Sequence, residues 1–226
     1  MEIAILGTGG VVRTLAGALA DRGHDVMLGS RDAAAALARD DVNQQTDTTL
    51  AEWHDDHPTV HIGTLGEAVG HGEVLLLATS GDGALPALRA AGLDQRAGTI
   101  VLDLTNPIVR TSEGVTLDPG MTDSLAEQIQ RTYPNVRLVK ALNTVTAALM
   151  IAPELADGGD HTLPICGDDD EAKMQVAEWL GDWFGWRDVL DLGDLSAARA
   201  QEAYLLFWLR LMQTTGNPMV TTKVVR

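Results

Sequence analysis

The first 31 residues constrain the fold more than any other part of this 226-residue chain. Residues 2–6 form a short apolar run that breaks into Gly7-Thr8-Gly9-Gly10, and residues 11–21 then have the apolar spacing of a helix. A second buried strand follows at residues 25–28 and ends at Gly29-Ser30-Arg31. A strand, a glycine turn, a helix and a second strand within about 30 residues are what a dinucleotide-binding βαβ unit requires.

The glycines of the first turn predict a site for a pyrophosphate group. Gly7 lets the chain reverse sharply out of the first strand, and Gly9 leaves room for the pyrophosphate to approach the backbone. The helix that opens near Gly10 directs free N–H groups and its positive dipole end at the same point. Val12 replaces the third glycine of the fingerprint, which places the helix slightly farther from the strand. A plain glycine turn in an α/β protein is the alternative interpretation.

The end of the second strand distinguishes between the two nicotinamide cofactors. An NAD site places Asp or Glu there, where the carboxylate accepts from the ribose 2′-OH and repels a 2′-phosphate. This chain has Ser30 and Arg31 instead, a hydroxyl beside a guanidinium that suits a phosphate monoester. The pair predicts NADP(H) as the cofactor. The alternative is a solvated turn in which Arg31 pairs with Asp32.

The charge of the chain limits its partners. A formal net charge of −16 disfavours nucleic acid and anionic membrane surfaces. An anionic cofactor must then be bound by local groups, for which Arg13, Arg31 and the helix terminus are the candidates. The single cysteine, Cys166, excludes an intrachain disulfide and a four-thiolate metal site. Without a secretory leader or an apolar run of about 18 residues, we expect a cytoplasmic protein with no membrane span.

Polar residues are predicted at the carboxyl ends of three further strands. Buried runs between residues 74 and 142 end at Thr79-Ser80, at Asn106 and at Asn143-Thr144. The carboxyl ends of parallel strands line the cofactor crevice of a doubly wound sheet. We therefore predict that Thr79, Ser80, Asn106 and Asn143 face one crevice and contact the cofactor or substrate. An ordinary strand-to-helix cap is the alternative for Thr79 and Ser80.

A polar stretch contains several residues of metal-ligand type: His54, Asp55, Asp56, His57 and His61. No partner cluster stands elsewhere in the sequence, and Pro58 interrupts the segment. We therefore predict a solvated loop over residues 43–56 and no metal site. The alternative is a metal site built from these side chains.

The last third of the chain holds most of its aromatic residues: Trp179, Trp183, Phe184, Trp186, Tyr204, Phe207 and Trp208. We predict strands at 162–166 and 189–192, a helix at 171–184, and a long helix that Ser196 caps and that runs through Met212. Apolar residues surround much of this long helix, so we expect burial on more than one side and a homodimer. The aromatic residues form core and subunit interface, or one or two of them are walls for a planar acceptor.

These elements indicate an α/β fold of Rossmann type, with a doubly wound, mostly parallel sheet and a small C-terminal helical portion. We assign residues 1–145 to an NADP-binding domain. Residues 146–226 form an α/β-helical portion that we expect to complete the acceptor site and to supply the dimer interface.

A set of short segments is spread along nearly the full chain: Gly7-Thr8-Gly9, Leu15-Ala16, Gly23-His24, Gly29-Ser30-Arg31, Asp103-Leu104-Thr105-Asn106-Pro107, Val139-Lys140-Ala141-Leu142-Asn143-Thr144 and Trp208-Leu209-Arg210-Leu211. In these segments the chain resembles the NADPH-dependent coenzyme F420 reductases (F420H2:NADP+ oxidoreductases). Relatives of that family include the reductase domains of eukaryotic six-transmembrane ferric reductases.

The resemblance implies a set of cofactor contacts. They are 2′-phosphate contacts at Ser30 and Arg31, pyrophosphate contacts at Thr8, Gly9, Gly10, Val11 and Val12, and a nicotinamide pocket near Ala141, Asn143 and Thr144. It also implies coenzyme F420 as the second substrate. Two departures weaken NADP affinity: Val12 replaces the usual glycine, and residues 33–36 lack the additional basic side chains of the family.

Hydride transfer needs orientation, exclusion of water and a polarised pocket, and it needs no nucleophile or proton relay. We accordingly predict no catalytic side chain, and we expect Lys140 to be a surface lysine at a strand end, with a substrate contact as the alternative. The first hypothesis is an NADP(H)-dependent oxidoreductase that exchanges hydride with F420. The alternatives are an NADPH-dependent reductase of a flavin, quinone, ferric chelate or small carbonyl or imine, and a non-catalytic NADPH sensor.

Overall fold

The structure is a computed structural model that describes residues 1–226. Its strands, numbered along the chain, are β1 (Glu2–Leu6), β2 (Asp25–Ser30), β3 (His61–Thr64), β4 (Val74–Leu77), β5 (Ile100–Asp103), β6 (Ile108–Thr111), β7 (Gly114–Leu117), β8 (Arg137–Lys140), β9 (Leu163–Ile165) and β10 (Val189–Asp191). Its α-helices are α1 (Gly10–Asp21), α2 (Ala33–Leu37), α3 (Leu50–Asp56), α4 (Leu65–His71), α5 (Gly81–Ala90), α6 (Leu125–Thr132), α7 (Ala147–Ile151), α8 (Asp170–Phe184) and α9 (Ala198–Thr215).

Six parallel strands form the central sheet in the order β3-β2-β1-β4-β5-β8. The chain moves outward from β1 through β2 to β3, and then returns to place β4 on the other side of β1. The point of reversal lies between β1 and β4, where a doubly wound fold binds its ligand. The predicted fold class is confirmed.

The sheet is buried on both faces, which explains why its strands are continuous apolar runs instead of alternating ones. Ile3 and Ile5 of β1 belong to an apolar cluster of 32 residues on one face. Ala4 and Leu6 of the same strand belong to a cluster of 22 residues on the other face. Successive side chains of a strand point to opposite faces, so both layers of helices pack on the same few strands.

The segment after β2 differs from its sequence pattern at two places. The alanine-rich run at residues 32–41 favours a helix, but α2 covers only residues 33–37, and the carboxylate of Asp32 caps it by accepting from the Ala35 N–H. The predicted loop over residues 43–56 is wrong at its end, because α3 begins there. Thr49 and Glu52 form a reciprocal capping box at its first turn, and that sequence signal was available.

The connection between β5 and α6 contains a hairpin that the sequence analysis did not predict. Strands β6 and β7 pair antiparallel, and the side chains of β6 are exposed. Helix α6 is capped by Ser124, whose hydroxyl accepts from the Glu127 N–H, and the neighbouring Asp123 pairs with Arg131.

The C-terminal portion contains the two predicted strands and both predicted helices. Strands β9 and β10 form a separate parallel pair, which meets the main sheet through one antiparallel bridge between Cys166 and Lys140. Asp194, not Ser196, provides the cap before α9, and it caps a short 3-10 turn that precedes the helix. The division at residue 145 stays a prediction, and the larger apolar cluster contains residues from both sides of it.

None of the helices is both long enough and apolar enough to cross a bilayer.

Candidate functional site

Two cavities adjoin at the carboxyl ends of the sheet strands. One has a volume of about 450 Å³ and is lined mainly by polar residues of the β1–α1 turn and the β2 end. The other has a volume of about 460 Å³ and a largely apolar lining from the β8–α7 connection and α9. Ala78, Thr79 and Ser80 line both cavities. We call them the cofactor cavity and the acceptor cavity.

The glycine turn gives the cofactor cavity an open backbone cradle. Gly7 has a φ of +126°, and a Cβ there would lie 3.0 Å from the Val12 Cγ2 and 3.1 Å from the Ala78 carbonyl oxygen. A Cβ on Gly9 would meet no atom within 4 Å, so the space in front of it is free. Gly9 is the N-cap residue of α1, and no side chain caps that helix, which leaves its first N–H groups for an anion. The residues present therefore fit a pyrophosphate.

Val12 is accommodated at the third fingerprint position by direct packing on Gly7. Its side chain is fully buried in the core and faces neither cavity. Any pyrophosphate contact of Val12 must therefore come from its backbone N–H. Val11, one residue earlier, lines the acceptor cavity.

The far end of the cofactor cavity carries two arginines and a serine. Ser30 and Arg31 line it, and Arg31 makes no ion pair or side-chain hydrogen bond within the chain. Asp32 is used as the cap of α2, so the alternative of an Arg31–Asp32 pair does not occur. Arg39 lines the same cavity and donates from Nη2 to the Thr8 Oγ1 at 3.2 Å. Arg39 was not predicted, because it lies beyond the residues that immediately follow Ser30-Arg31.

Arg13 does not lie where the sequence predicts it. Its side chain is buried and lines neither cavity. Its guanidinium donates to the carbonyl oxygens of Thr8 at 3.1 Å and Thr48 at 2.7 Å, and also to the Thr46 Oγ1. Arg13 thus fastens the loop before α3 onto the start of α1, and its donors are used within the protein.

The loop that Arg13 fastens lies against the first turn of α1. A Cβ on Gly10 would overlap the Gln45 Oε1 and lie 2.7 Å from the Asn43 Oδ1, so these side chains would have to shift for any larger residue. Gln45 extends from this loop to line the acceptor cavity. A substitution at Gly10 would therefore disturb the loop as well as the predicted phosphate site.

Asn106 and Asn143 lie together, as their positions at strand ends predict, and they bind each other. The Asn143 Nδ2 donates to the Asn106 Oδ1 at 3.0 Å, and the Asn106 Nδ2 donates to the Asn143 carbonyl oxygen at 3.0 Å. Gln201 of α9 donates from Nε2 to the Asn143 Oδ1 at 2.9 Å. The amides therefore hold α9 against the sheet, and little of their hydrogen-bonding capacity remains for a ligand.

Two hydroxyls in the wall of the acceptor cavity have no partner. Thr79 Oγ1 and Thr144 Oγ1 are buried and make no hydrogen bond within the chain, and both residues line the acceptor cavity. Buried polar groups are normally paired, so an unpaired pair at a cavity wall points to a ligand. Ala141, by contrast, is fully buried and lines neither cavity.

The acceptor cavity has one charged lining residue, Arg110, at the end of the exposed β6 strand. Leu205, Trp208 and Leu209 of α9 form part of its apolar wall. Of the clustered aromatic residues, Trp208 lines this cavity, and its role as a wall for a planar acceptor stays a prediction. Others, including Trp183, are buried in the core.

Lys140 is not a surface residue, and that prediction is wrong. Its side chain is fully buried, and its Nζ lies 2.8 Å from the Asp103 Oδ2, 3.2 Å from the Glu202 Oε1 and 2.5 Å from the Thr105 carbonyl oxygen. Burial alone would lower the pKa of Lys140, but the charges of Asp103 and Glu202 outweigh burial and raise the pKa. Lys140 is therefore a cation held inside the protein, out of reach of a substrate.

Glu202 joins this buried cluster to two further helices. Its carboxylate accepts from the backbone N–H groups of Leu125 and Ala126, each at 3.1 Å, at the start of α6. Burial raises the pKa of Glu202, a shift that Lys140 opposes. The cluster contains two carboxylates and one ammonium, and the first turn of α6 offsets the excess negative charge.

The histidines of the proposed metal stretch bind backbone oxygens. The His54 Nε2 lies 2.9 Å from the Val60 carbonyl oxygen, and the His57 Nδ1 lies 2.8 Å from the Trp53 carbonyl oxygen. No group of three or more His, Cys, Asp or Glu side chains is arranged to hold a metal ion.

Comparison with known proteins identifies the family. Residues 2–107 match the family described as NADP oxidoreductase, coenzyme F420-dependent. A crystal structure from Arthrobacter sp. FB24, named as a candidate F420-dependent NADP reductase, is 43% identical with a TM-score of 0.94, and the match covers 100% of both chains. Metalloreductase STEAP3 of Rattus norvegicus is 32% identical over 89% of this chain, which spans 36% of that protein's length.

A more distant structure shares the fold. A reductive aminase from Aspergillus terreus, in complex with NADPH and ethyl levulinate, is 18% identical with a TM-score of 0.63. The match covers 95% of this chain and 62% of the aminase. From the full-length match at 43% identity and the family match over residues 2–107, the chain belongs to the coenzyme F420-dependent NADP oxidoreductase family and is an NADP-dependent oxidoreductase.

Proposed function

We propose that this protein transfers hydride between NADP(H) and coenzyme F420. The observation that carries the proposal is the shared wall of the two cavities at Ala78, Thr79 and Ser80. A dinucleotide that extended along the cofactor cavity from Arg31 past Gly9 would bring its nicotinamide to that wall. The acceptor cavity on the other side is large and mostly apolar, and so suits a planar ring system.

The residues of the chain would bind and orient the two reactants. NADP(H), when bound, supplies or accepts the hydride. Ser30, Arg31 and Arg39 would hold the 2′-phosphate, and the turn at Gly9 with the start of α1 would hold the pyrophosphate. The unpartnered hydroxyls of Thr79 and Thr144 would bind the carboxamide of the nicotinamide ring.

The chemistry of the acceptor cavity supports direct hydride transfer. No carboxylate, imidazole, ammonium, phenol or thiol is among its lining groups, and its one charge is the guanidinium of Arg110. Hydride transfer between two rings depends on their distance and orientation and on the exclusion of water. The apolar side chains of α9 and α7 would provide that exclusion.

The experiment that tests this proposal is anaerobic mixing of the purified protein with NADPH and oxidised F420, followed by the absorbance of the deazaflavin. Rapid loss of absorbance with NADPH and slow loss with NADH is the expected result. If protein that binds NADPH causes no loss, F420 is not the acceptor. The same protein without NADPH is the control for direct bleaching.

A second candidate is reduction of a ferric chelate or flavin, which the similarity to a metalloreductase favours. The same NADPH assay with ferric citrate and with free flavin distinguishes this candidate from the first. Tight NADPH binding without turnover of any acceptor would instead indicate a sensor.

We further propose a homodimer in the cytoplasm. Leu206 and Phe207 lie next to each other on α9 and are 38% and 54% exposed, so they offer an apolar surface to a second copy of the chain. Analytical ultracentrifugation is expected to give a dimer for the natural chain and a monomer for Phe207→Lys. A monomeric natural chain would contradict the proposed assembly. Subcellular fractionation of the source cells would test the location.

A further inference from the structure

A third cavity lies beside α9, on the face of the helix next to the acceptor cavity. Its volume is about 230 Å³, and it is enclosed by α9, β9, β10 and residues 221–224 near the C-terminus. Pro164, Leu190 and Leu192 are among its apolar walls, and no charged side chain lines it. Neither the family nor the proposed hydride transfer assigns a role to this cavity, which we call the tail cavity.

The C-terminal segment is bound firmly enough to form a permanent wall of the tail cavity. The Thr162 N–H donates to the Thr222 carbonyl oxygen at 3.0 Å, and the Val224 N–H donates to the Thr162 Oγ1 at 3.0 Å. The Tyr204 hydroxyl donates to the Thr222 Oγ1 at 3.2 Å. These contacts tie the segment to both β9 and α9.

A buried amide oxygen at this cavity has no donor. Gln201 is 2% exposed and lines the tail cavity, and its Oε1 makes no hydrogen bond within the chain. The orientation of the amide is fixed, because its Nε2 donates to the Asn143 Oδ1 and to the Pro164 carbonyl oxygen. Exchanging the two ends of the amide would set oxygen against oxygen.

Thr144 is the second unpaired group, and it lies between two cavities. It is 5% exposed, its Oγ1 has no partner, and it lines both the tail cavity and the acceptor cavity. The cavity is uncharged, and the other hydroxyls in its lining have partners within the chain, so the two polar atoms without partners define the ligand. It must be mostly apolar and neutral, and it must present an N–H or O–H donor to the Gln201 Oε1.

The volume sets the size of the ligand. An apolar protein cavity of about 150 Å³ is large enough to bind benzene. The tail cavity is larger, at about 230 Å³, and so has room for a ring with a polar substituent. We propose that the tail cavity is a binding site for small neutral ring compounds with one hydrogen-bond donor, of which phenol is the simplest probe.

Isothermal titration calorimetry of the full chain, saturated with NADP+, tests this site. Phenol is expected to bind. Toluene has the same size and gains more than phenol from burial in an apolar cavity, but it has no donor. The hydrogen bond of phenol is expected to offset this difference, so that phenol binds at least as tightly as toluene. No heat from phenol up to its solubility limit would overturn the proposal. Toluene that binds about tenfold more tightly than phenol would overturn the assignment of the Gln201 Oε1.

A pair of matched variants locates the binding. Ala200 is exposed on α9 and lines the tail cavity, so Ala200→Trp fills it from the solvent side. Ala90→Trp, at the exposed end of α5 and outside all three cavities, is the control. We expect Ala200→Trp to abolish phenol binding and Ala90→Trp to retain it. Equal phenol affinity of both variants would overturn the site. Leu192→Trp gives the same test if Ala200→Trp does not fold.

Discussion

The cofactor cradle and the polar cluster under α9 are built in opposite ways. The cradle uses residues that are adjacent in sequence, in the turn from Gly7 to Gly10 and at Ser30-Arg31. The Arg31 guanidinium has no partner within the chain, and the Thr8 and Ser30 hydroxyls make one hydrogen bond each, with Arg39 and with the Asp32 carbonyl oxygen. The cluster joins Asp103, Lys140 and Glu202, which are distant in sequence and fully paired. The difference shows that hydrogen bonds and ion pairs within the chain distinguish a side chain with a structural role from one that is available to bind a ligand.

Lys140→Met is expected to cause the largest loss of stability. It leaves two buried carboxylates without their cation, and removing one partner of a buried ion pair typically costs about 3–5 kcal/mol. Urea denaturation followed by circular dichroism measures the loss in the free energy of unfolding. The exposed control is Lys223→Met, which removes the pair with Asp160 and is expected to cost about 1 kcal/mol or less. Similar losses in both variants would show that Lys140 is not buried in the cluster.

Arg31→Ala is expected to have the opposite profile, with affinity lost and stability kept. The guanidinium has no partner within the chain, and a hydrogen bond to a charged group is worth about 1.5–3 kcal/mol, or roughly 10- to 150-fold in the dissociation constant for NADPH. Isothermal titration calorimetry measures NADPH and NADH affinities in parallel. The control is Arg110→Ala, which removes the same charge from the acceptor cavity. Equal weakening of NADH and NADPH by Arg31→Ala would contradict the 2′-phosphate assignment.

Thr144→Val and Thr105→Val test whether a hydroxyl without a partner and a paired hydroxyl contribute differently to stability. The Thr144 hydroxyl has no partner, so its removal is expected to leave the free energy of unfolding unchanged or to raise it by about 1 kcal/mol. The Thr105 hydroxyl donates to the Asp103 Oδ1 at 2.7 Å, and its loss is expected to cost about 1–3 kcal/mol. Chemical denaturation compares the two. We also expect Thr144→Val alone to weaken NADPH binding, by roughly fivefold.

Asp169→Asn is expected to have the smallest effect on stability, because the ion pair of Asp169 with Arg137 is partly exposed. The Arg137 guanidinium, with the Ala172 N–H, lowers the pKa of Asp169 from 3.8 to about 2. Because the folded-state pKa is lowered, the stabilisation is present above about pH 4 and is lost as the pH falls towards 2. Asp169→Asn keeps the helix cap but removes the charge, so it is expected to cost less than about 1 kcal/mol at pH 7. Unfolding followed from pH 7 to pH 2 should show the difference vanish. A constant difference would mean that the cap matters and the charge does not.

The sequence predicted the elements whose cause is local. The glycine turn, the apolar strands and Ser30-Arg31 all lie within one βαβ unit, and the predicted parallel sheet is confirmed around them. The positions of Asn106 and Asn143 after two strands were sufficient to predict that they lie at one edge of the sheet, because parallel strands share their carboxyl edge. The capping box at Thr49 and Glu52 was also local, and the helix that it starts was missed only because the surrounding composition is polar.

The remaining features depend on residues far apart in the chain. Lys140 was expected at the surface because nothing near it in sequence reveals that Glu202 approaches it from α9. Arg13 was expected at the cofactor because its burial depends on the loop at residues 46–48. In both cases the local sequence does not distinguish a buried, paired side chain from an exposed one. The fold alone brings the partners to the charge.

The buried cluster also restricts how this protein can diverge. A substitution at Asp103, Lys140 or Glu202 alone leaves the others unbalanced inside the core, whereas a coordinated replacement by apolar residues of similar volume can be neutral. Homologous sequences are therefore expected to change these three positions together, as one inherited unit, while Arg31 and Arg39 are expected to vary independently of them.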